Sequence, residues 1–429
     1  MKRLLLLLLA CAVFLTACGR QEREEADAQA ADAEEKTELV VATVRGPYGD
    51  PSLNKAVAGF NSQSERYRVK VVDYTRNGEV DNAKARRLLN TEIISGNYPD
   101  MLCFSHLPPD AYIARGLLLD LKPLLATDPE LSIGDIAAVQ AMQSQGGLYY
   151  LSGDFSFETL VGKKSRFGER YGWTVQEYLD IEAEVGPNIW VIYNMTHDKF
   201  LAQIAQRYSR TALDWAAGVC SFDSGEFVSI LEASRRVQDK QESRDDMLFA
   251  PPGRSNLSAD RLIAQCCFVI DPYDLAFEEQ YSAAELSFIG WPTPDGSCGT
   301  DLYPHDAVGI VAGGSRTEGC WEFIKYRMFN SGDIDASMPM YLPELKKQLE
   351  AAQEPVTDGE RRKVQMTAGQ ADEFLELLAH IENVAFYDET VMSIVTAESR
   401  SFFSGERTAA ETAGIIQSKV SIYLSEQYG

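Results

Sequence analysis

The segment that decides the fold contains three strand-like runs, LVVATV (39–44), RVKVVDY (68–74) and DMLCFS (100–105). The first is a continuous apolar run of the length typical of a buried parallel strand. Between the runs, Leu53, Val57 and Phe60 recur at helical spacing, and a second helix is predicted from about 81 to 95, with Gly96 placed to end it. This β-α-β-α-β order predicts an α/β fold with right-handed crossovers and a parallel sheet covered on both faces.

The size and charge of the chain exclude several classes of function. Its 429 residues are enough for two or three hydrophobic cores. With 40 Lys and Arg against 64 Asp and Glu, the formal net charge is −24. This negative field disfavours nucleic acid as a partner and argues against anionic ligands. Only four histidines are present, so no metal site built from imidazoles is expected, and the motifs indicate no cofactor.

The first 17 residues have the pattern of a lipoprotein signal peptide. Lys2 and Arg3 precede an apolar run over 4–17, which is too short to span a bilayer as a helix. The run ends in LTAC (15–18), which resembles the bacterial lipobox, where the chain is cut before the lipid-modified cysteine. Acyl chains on Cys18 would hold the protein at the extracytoplasmic face of the cell membrane. The alternative is a signal cut elsewhere that releases the protein.

Residues 18–37 are predicted to be the lipid anchor and a flexible tether. Beyond Cys18 this segment has no large apolar side chain and is dominated by Ala, Glu, Asp and Gln. Of the remaining cysteines, the neighbours Cys266 and Cys267 lie in an apolar strand-like run and are interpreted as buried thiols rather than a redox pair. No CxxC motif occurs, and the sequence leaves one or two disulfides open.

Three sequence patterns mark helix N-termini. Thr174, Asp223 and Thr408 each stand three residues before a glutamate, which is the capping-box spacing. We therefore expect helices to begin near 175, 224 and 409.

Longer stretches resemble a known family. They are FNSQSERYRVKVVDY (60–74), LNTEIISGNYPDMLCF (89–104), YIARGLLLDLKPLL (112–125), GGLYYLSGDFSFETLVGKK (146–164), IGWPTPDG (289–296) and the final helices. Together with the lipobox, they resemble the extracellular solute-binding proteins of ABC importers, family 1, which includes maltose-binding protein. The resemblance implies a periplasmic-binding-protein-like fold with two α/β lobes, joined by a multi-segment hinge, that close on a ligand. Lobe 1 would comprise 38–147 plus 288–335, and lobe 2 would comprise 148–287 plus 336–429.

The resemblance also implies a function. The chain would be a monomer without catalytic residues that captures a sugar or oligosaccharide and delivers it to ABC permease subunits. Alternatives are a binding protein for a peptide or polyamine, or a lipid-anchored hydrolase. No GxSxG, HExxH or P-loop motif stands at a convincing strand-to-helix junction.

A sugar site needs aromatic platforms for ring faces and polar groups for hydroxyls. In lobe 1 the candidate ligand-binding residues are Tyr48, Asp50, Phe104, Ser105 and His106. Near the hinge and in lobe 2 they are Asp154, Phe155, Tyr273, Asp274, Trp291, Tyr303 and His305. For Phe104 the alternative is a core aromatic, and Trp291 could equally seal the hinge. Pro108 stands where the resemblance implies an acidic residue, which argues against a maltodextrin ligand.

Overall fold

Two β-sheets organise the computed structural model, which describes residues 36–45, 52–186, 189–239, 256–331, 337–357 and 363–428. The predicted signal peptide, Cys18 and the tether up to residue 35 lie outside these ranges. Numbered in chain order, the strands are β1 Thr37–Thr43, β2 Tyr67–Asp73, β3 Met101–Cys103, β4 Gln143–Ser144, β5 Gly147–Leu148, β6 Asp154–Lys163, β7 Trp190–Ile192, β8 Leu213–Asp214, β9 Val219–Cys220, β10 Leu262–Val269, β11 Leu286–Phe288, β12 Asp301–Pro304, β13 Val308–Ile310, β14 Met338–Pro339, β15 Val356–Thr357, β16 Lys363–Val364 and β17 Asn383–Val384.

The helices surround these sheets. They are α1 Ser52–Gln63, α2 Asn82–Ile94, α3 Pro109–Ile113, α4 Lys122–Thr127, α5 Val139–Met142, α6 Lys164–Phe167, α7 Val175–Val185, α8 His197–Ala212, α9 Gly225–Arg236, α10 Tyr273–Ser282, α11 Thr317–Asn330, α12 Leu342–Ala351, α13 Ala368–His380, α14 Glu389–Phe403 and α15 Ala409–Tyr428, with a 3-10 turn at Ile133–Asp135. No helix in the described ranges is both long enough and apolar enough to cross a membrane.

The first sheet confirms the β-α-β-α-β prediction. Its strand order is β13-β3-β1-β2, with β1 parallel to both β2 and β3. The two predicted helices are α1 and α2, and Gly96 follows α2 with a φ of +86°, a conformation that favours glycine. Strand β13 adds to β3 in the antiparallel direction. The carboxyl ends of β1 and β3 therefore lie at the same edge of this sheet.

The second sheet is built around β6. Strands β10, β11, β12 and β14 all pair antiparallel with β6, while β7 and β17 extend the sheet at its two edges. One face packs on α13, where the rings of Phe157 and Phe374 meet edge to face at 5.5 Å between centroids. On the other face Leu160 belongs to a core that includes Tyr178, Phe200 and Ile416 from α7, α8 and α15. The fold class is thus confirmed as two α/β lobes.

The chain crosses between the sheets at two described segments. It leaves the first sheet after Leu151, which bridges to Val308, and enters the second at Asp154. It returns between Pro304, at the end of β12, and Val308. The expected return at residue 288 is therefore wrong in position, since both β11 and β12 belong to the second sheet. The apolar run IGWPTP gives no indication of the sheet with which it pairs.

Asp306 fastens the returning segment to the first lobe. Its carboxylate accepts hydrogen bonds from Arg45 Nη2 (3.1 Å), Ser105 Oγ (2.6 Å) and the backbone amide of Leu53 (3.3 Å). Its own carbonyl accepts from Arg327 Nη1 (2.6 Å). The carboxylate therefore joins the ends of β1 and β3 to the N-terminus of α1, at the edge that faces the second lobe.

Two of the three expected helix starts are confirmed. Thr174 and Thr408 cap their helices in reciprocal capping boxes. For α9 the N-cap is Ser224, whose hydroxyl accepts from the amide of Phe227, so the expectation for Asp223 is wrong by one residue. The described cysteines are all free thiols, and the expectation of two buried neighbours fails for Cys266, which is exposed.

Candidate functional site

One part of the second sheet is left uncovered near the crossing segments. The register places Phe268 of β10 and Asp301 of β12 directly opposite Glu158 of β6, so these three side chains share a face. Tyr303 follows Asp301 on that face, two residues along the strand. Phe268 remains 48% exposed although it lies in a central strand. This exposed ring makes the face a candidate contact surface for another molecule if further apolar groups adjoin it.

Three aromatic rings and one carboxylate form this surface, which we call the aromatic patch: Glu158, Phe268, Tyr303 and Tyr387. Phe268 and Tyr303 meet edge to face with their ring centroids 5.3 Å apart. Tyr387 follows β17 and is 42% exposed. Burial, then the charges of Glu389 and Glu158, raise the pKa of the Tyr387 hydroxyl, so both carboxylates lie close enough to act on it.

A buried ion pair lies beside the patch on the same face of the sheet. Arg207 of α8 donates to Asp301, and both side chains are largely buried. Burial raises the pKa of Asp301 to about 6, although the charge of Arg207 opposes that rise. The Arg207 guanidinium also lies 5.5 Å from the centroid of the Trp291 ring, and Trp291 Nε1 donates to Glu158 Oε1 at 2.8 Å. Glu158 is therefore held in one orientation at the base of the patch.

A pocket of about 370 Å³ adjoins the patch between α8 and α14. Its lining residues are Ala202, Gln206, Tyr387, Glu389, Met392, Ser393, Thr396, Ala397 and Arg400. Tyr387 belongs to both the pocket and the patch. Hydroxyls, an amide and a thioether beside one aromatic ring are suited to a polar ligand with apolar faces.

The first lobe reaches this region through two polar contacts. His106 Nδ1, after β3, lies 3.2 Å from Glu389 Oε1, and this contact lowers the pKa of Glu389. Arg86 Nη1, on α2, lies 3.0 Å from Asp388 Oδ2, and Arg86 Nη2 donates to Thr390 Oγ1. The pocket and the patch thus lie where the two lobes meet.

The arrangement of two α/β lobes about such a junction is shared with solved structures. An extracellular solute-binding protein family 1 from Alicyclobacillus acidocaldarius is 14% identical, with a TM-score of 0.53 over 92% of this chain and 100% of that one. The sugar-binding protein MalE from Xanthomonas citri is 14% identical, with a TM-score of 0.54 over 91% and 98%. The galacto-N-biose-/lacto-N-biose I-binding protein from Bifidobacterium longum is 15% identical, with a TM-score of 0.53 over 93% and 99%.

The chain has the fold of the extracellular solute-binding proteins. At these identities the likeness is one of fold. A scan against protein-family models finds no match, and no curated protein matches the sequence. The solved structures named above are binding proteins by their descriptions, and two of them bind sugars.

Within this solute-binding fold, the structure brings only some predicted residues to the junction. Tyr303 lies in the aromatic patch, and His106 contacts Glu389. His305 lies in the crossing segment, where its Nε2 is 2.8 Å from Ser156 Oγ. Ser105 donates to Asp306 and so belongs to the hinge network. Predicted Tyr48 and Asp50 lie outside the described residues.

Other residues that were predicted to bind the ligand are buried inside the protein. Phe104 and Phe155 are fully buried and Asp154 is nearly so, so none of them offers a surface to a ligand in this conformation. For Phe104 the alternative of a core aromatic fits, since its ring packs against Tyr112 and Tyr150. Trp291 is buried in the core of the second lobe and its indole donates to Glu158, so its binding role and its alternative role as a hinge seal both stay predictions.

Tyr273 and Asp274 begin α10, whose start they help to fix. The Tyr273 hydroxyl lies 3.0 Å from the Ala351 carbonyl and 3.1 Å from the Glu354 carbonyl, which tie α10 to the end of α12. Asp274 accepts from the amides of Ile270 and Asp271. These contacts give both residues a structural role, and their binding role stays a prediction.

The sequence reasoning missed Glu158, Phe268, Tyr387 and Glu389. A signal for Glu158 was present, because DFSFETLV places a carboxylate inside an otherwise buried strand. Phe268 had no such signal, since its neighbours CCFVI are all apolar and a run without alternation does not show which face is open.

Proposed function

We propose that the protein is the lipid-anchored substrate-binding component of an ABC importer and captures a sugar or oligosaccharide between its lobes. The observation that carries the proposal is the aromatic patch at the lobe junction, with Phe268 and Tyr303 beside Glu158. The apolar faces of sugar rings stack on aromatic side chains. Carboxylates accept hydrogen bonds from sugar hydroxyls, and protein hydroxyls both accept and donate them. The shared fold and the sugar-binding neighbours support the same substrate class.

Closure of the lobes is the proposed mechanism of capture. A ligand that contacts both the patch on the second lobe and His106 on the first would favour the closed arrangement by its additional contacts there. The closed form would then be presented to permease subunits in the membrane. In this proposal the chain performs no catalysis, and transport energy comes from another subunit.

Calorimetric titration tests the proposal. The chain from Cys18 onward, with Cys18→Ser to prevent lipidation, would be titrated with mono- and oligosaccharides, peptides and polyamines. We expect saturable binding of at least one saccharide with one site per chain, and unchanged saccharide after prolonged incubation. Binding of peptides alone would contradict the sugar proposal, and hydrolysis products would favour the hydrolase alternative.

Lipid anchoring needs its own experiment. Cells expressing the full chain would be given a radiolabelled fatty acid and then fractionated. We expect label and membrane association in the natural chain, and loss of both in Cys18→Ser. Equal membrane association of the two chains, without label, would contradict the anchor.

A further inference from the structure

The aromatic patch contains a carboxylate without a cationic partner among the described residues. Glu158 accepts its hydrogen bond from the indole of Trp291, which is neutral. Arg207, whose guanidinium lies over the same indole, forms its ion pair with Asp301, so its charge is already balanced. Within the described ranges no Lys, Arg or His nitrogen lies within 4 Å of the Glu158 carboxylate. The patch therefore carries a net negative charge.

The field of Glu158 extends across the patch. After burial, its charge is a cause of the raised pKa of Tyr303, Tyr387 and Cys266. These three side chains come from β12, from the segment after β17 and from β10, so they surround Glu158. The charge of Arg207 acts in the opposite direction on Tyr303 and Cys266, but more weakly than that of Glu158.

Two arginines of the first lobe are paired with carboxylates, while Arg400 lines the adjoining pocket and Arg210 lies close enough to act on Asp301. In the first lobe, Arg45 binds Asp306 and Arg86 binds Asp388. A second carboxylate, Glu389, lies at the pocket with His106 as its partner.

We propose that the ligand captured by the patch carries a protonated amine, as an amino sugar with a free amino group does. This inference rests on the proposed function and specifies its substrate class. An ammonium group gains from the carboxylate of Glu158 and from the faces of the Phe268 and Tyr303 rings, which attract cations. A neutral sugar would offer Glu158 hydrogen bonds from its hydroxyls when the lobes close, but no opposite charge.

Two disaccharides that differ only at the amine provide the test. The full chain in detergent would be titrated with the β-1,4-linked disaccharide of glucosamine and with cellobiose, which has hydroxyls in place of the two amines. N,N′-diacetylchitobiose, in which the amines are acetylated and neutral, and spermidine, an amine without a sugar, complete the series. We expect the glucosamine disaccharide to bind at least tenfold more tightly than cellobiose and the acetylated disaccharide.

A pair of variants assigns the preference to Glu158. Glu158→Gln keeps the size of the side chain and is expected to reduce the tenfold preference to less than threefold. Glu184→Gln removes one negative charge from α7, where Glu184 pairs with Arg166, and is expected to leave the preference unchanged. Unfolding midpoints of both variants would show that each remains folded.

The outcomes separate this inference from the proposed function. Equal affinity for the amine and the neutral disaccharides overturns the inference and leaves a sugar-binding protein. Binding of spermidine without any saccharide supports the cationic ligand and overturns the sugar. A preference that survives in Glu158→Gln, or failure of all four compounds to bind at millimolar concentration, contradicts the inference.

Discussion

Phe268 is a residue at which a substitution can affect ligand binding with little effect on stability. Its ring is half exposed, so replacing it by alanine removes little buried area and should change the unfolding midpoint only slightly. For a ligand that stacks on the patch, we expect Phe268→Ala to weaken binding by about 1 kcal/mol or more. Titration with the tightest ligand of the panel measures this loss.

A matched control exists in the first sheet, at the edge opposite the lobe junction. Tyr98 is 56% exposed and precedes β3, so it lies away from the lobe junction. Tyr98→Ala should leave affinity unchanged. An equal loss of affinity in both variants would show that the effect is not specific to the patch.

Asp128 is a residue whose ionised form stabilises the fold. Burial alone would raise the pKa of Asp128, but hydrogen bonds from Trp321 Nε1, the Glu130 amide and Lys325 outweigh it and lower the pKa to about 2. An acid whose pKa is lower in the folded than in the unfolded state stabilises the fold above its unfolded pKa. That contribution is lost as the pH falls from about 4 to about 2.

The loss should be visible in urea unfolding as a function of pH. At neutral pH the ionised Asp128 contributes about 2 kcal/mol, which Asp128→Asn should remove. The difference in unfolding free energy between the two chains should then shrink as the pH falls towards 2. A difference that is constant between pH 7 and pH 2 would contradict this assignment.

Among the elements, α9 shows how one residue decides where a helix begins. Both Asp223 and Ser224 are good N-cap residues, and the capping-box spacing from Asp223 to Glu226 favoured the first. In the structure, Ser224 has the extended backbone of an N-cap and accepts from the Phe227 amide, while its hydroxyl also contacts the Tyr208 hydroxyl at 2.6 Å. This tertiary contact was not visible in the sequence.

The two possible N-cap residues of α9 predict different effects of mutation. Ser224→Ala should lower the free energy of unfolding by about 1 kcal/mol or more, because it removes the cap and a contact to α8. Asp223→Ala, at an exposed position, should change it by less than about 0.5 kcal/mol. Chemical denaturation of both variants compares them directly, and the reverse ranking would restore Asp223 as the cap.

Elements were predictable from sequence where their pattern is local. Strand β1 is a continuous apolar run, strand β2 and helices α1 and α2 have apolar periodicity, and all four were placed correctly. Strands β14 and β17 have two residues each and exist only through their pairing with distant segments. The same limit applies to the aromatic patch, since three separate strands bring Glu158, Phe268 and Tyr303 together.

At the scale of the whole molecule, Arg86 joins the lobes. It lies on α2 of the first lobe, and its guanidinium contacts Asp388 and Thr390 at the start of α14 in the second. The Asp388 side chain is fully buried and also caps α14 through the amides of Thr390 and Val391. Tyr423 donates to the same carboxylate at 2.7 Å. The N-cap hydrogen bonds of Asp388 and its hydrogen bond from Tyr423 do not involve Arg86. Loss of Arg86 should therefore affect mainly the contact between the lobes.

We therefore expect Arg86→Ala to loosen the lobes and to lower the free energy of unfolding by about 3 kcal/mol, because a buried carboxylate loses its cation. Small-angle X-ray scattering should give a larger radius of gyration for the ligand-free variant than for the natural chain. Arg87→Ala removes the neighbouring exposed arginine on the same helix and should change neither quantity. If Arg86→Ala is destabilised but keeps the natural radius of gyration, Arg86 stabilises one lobe and does not control their separation.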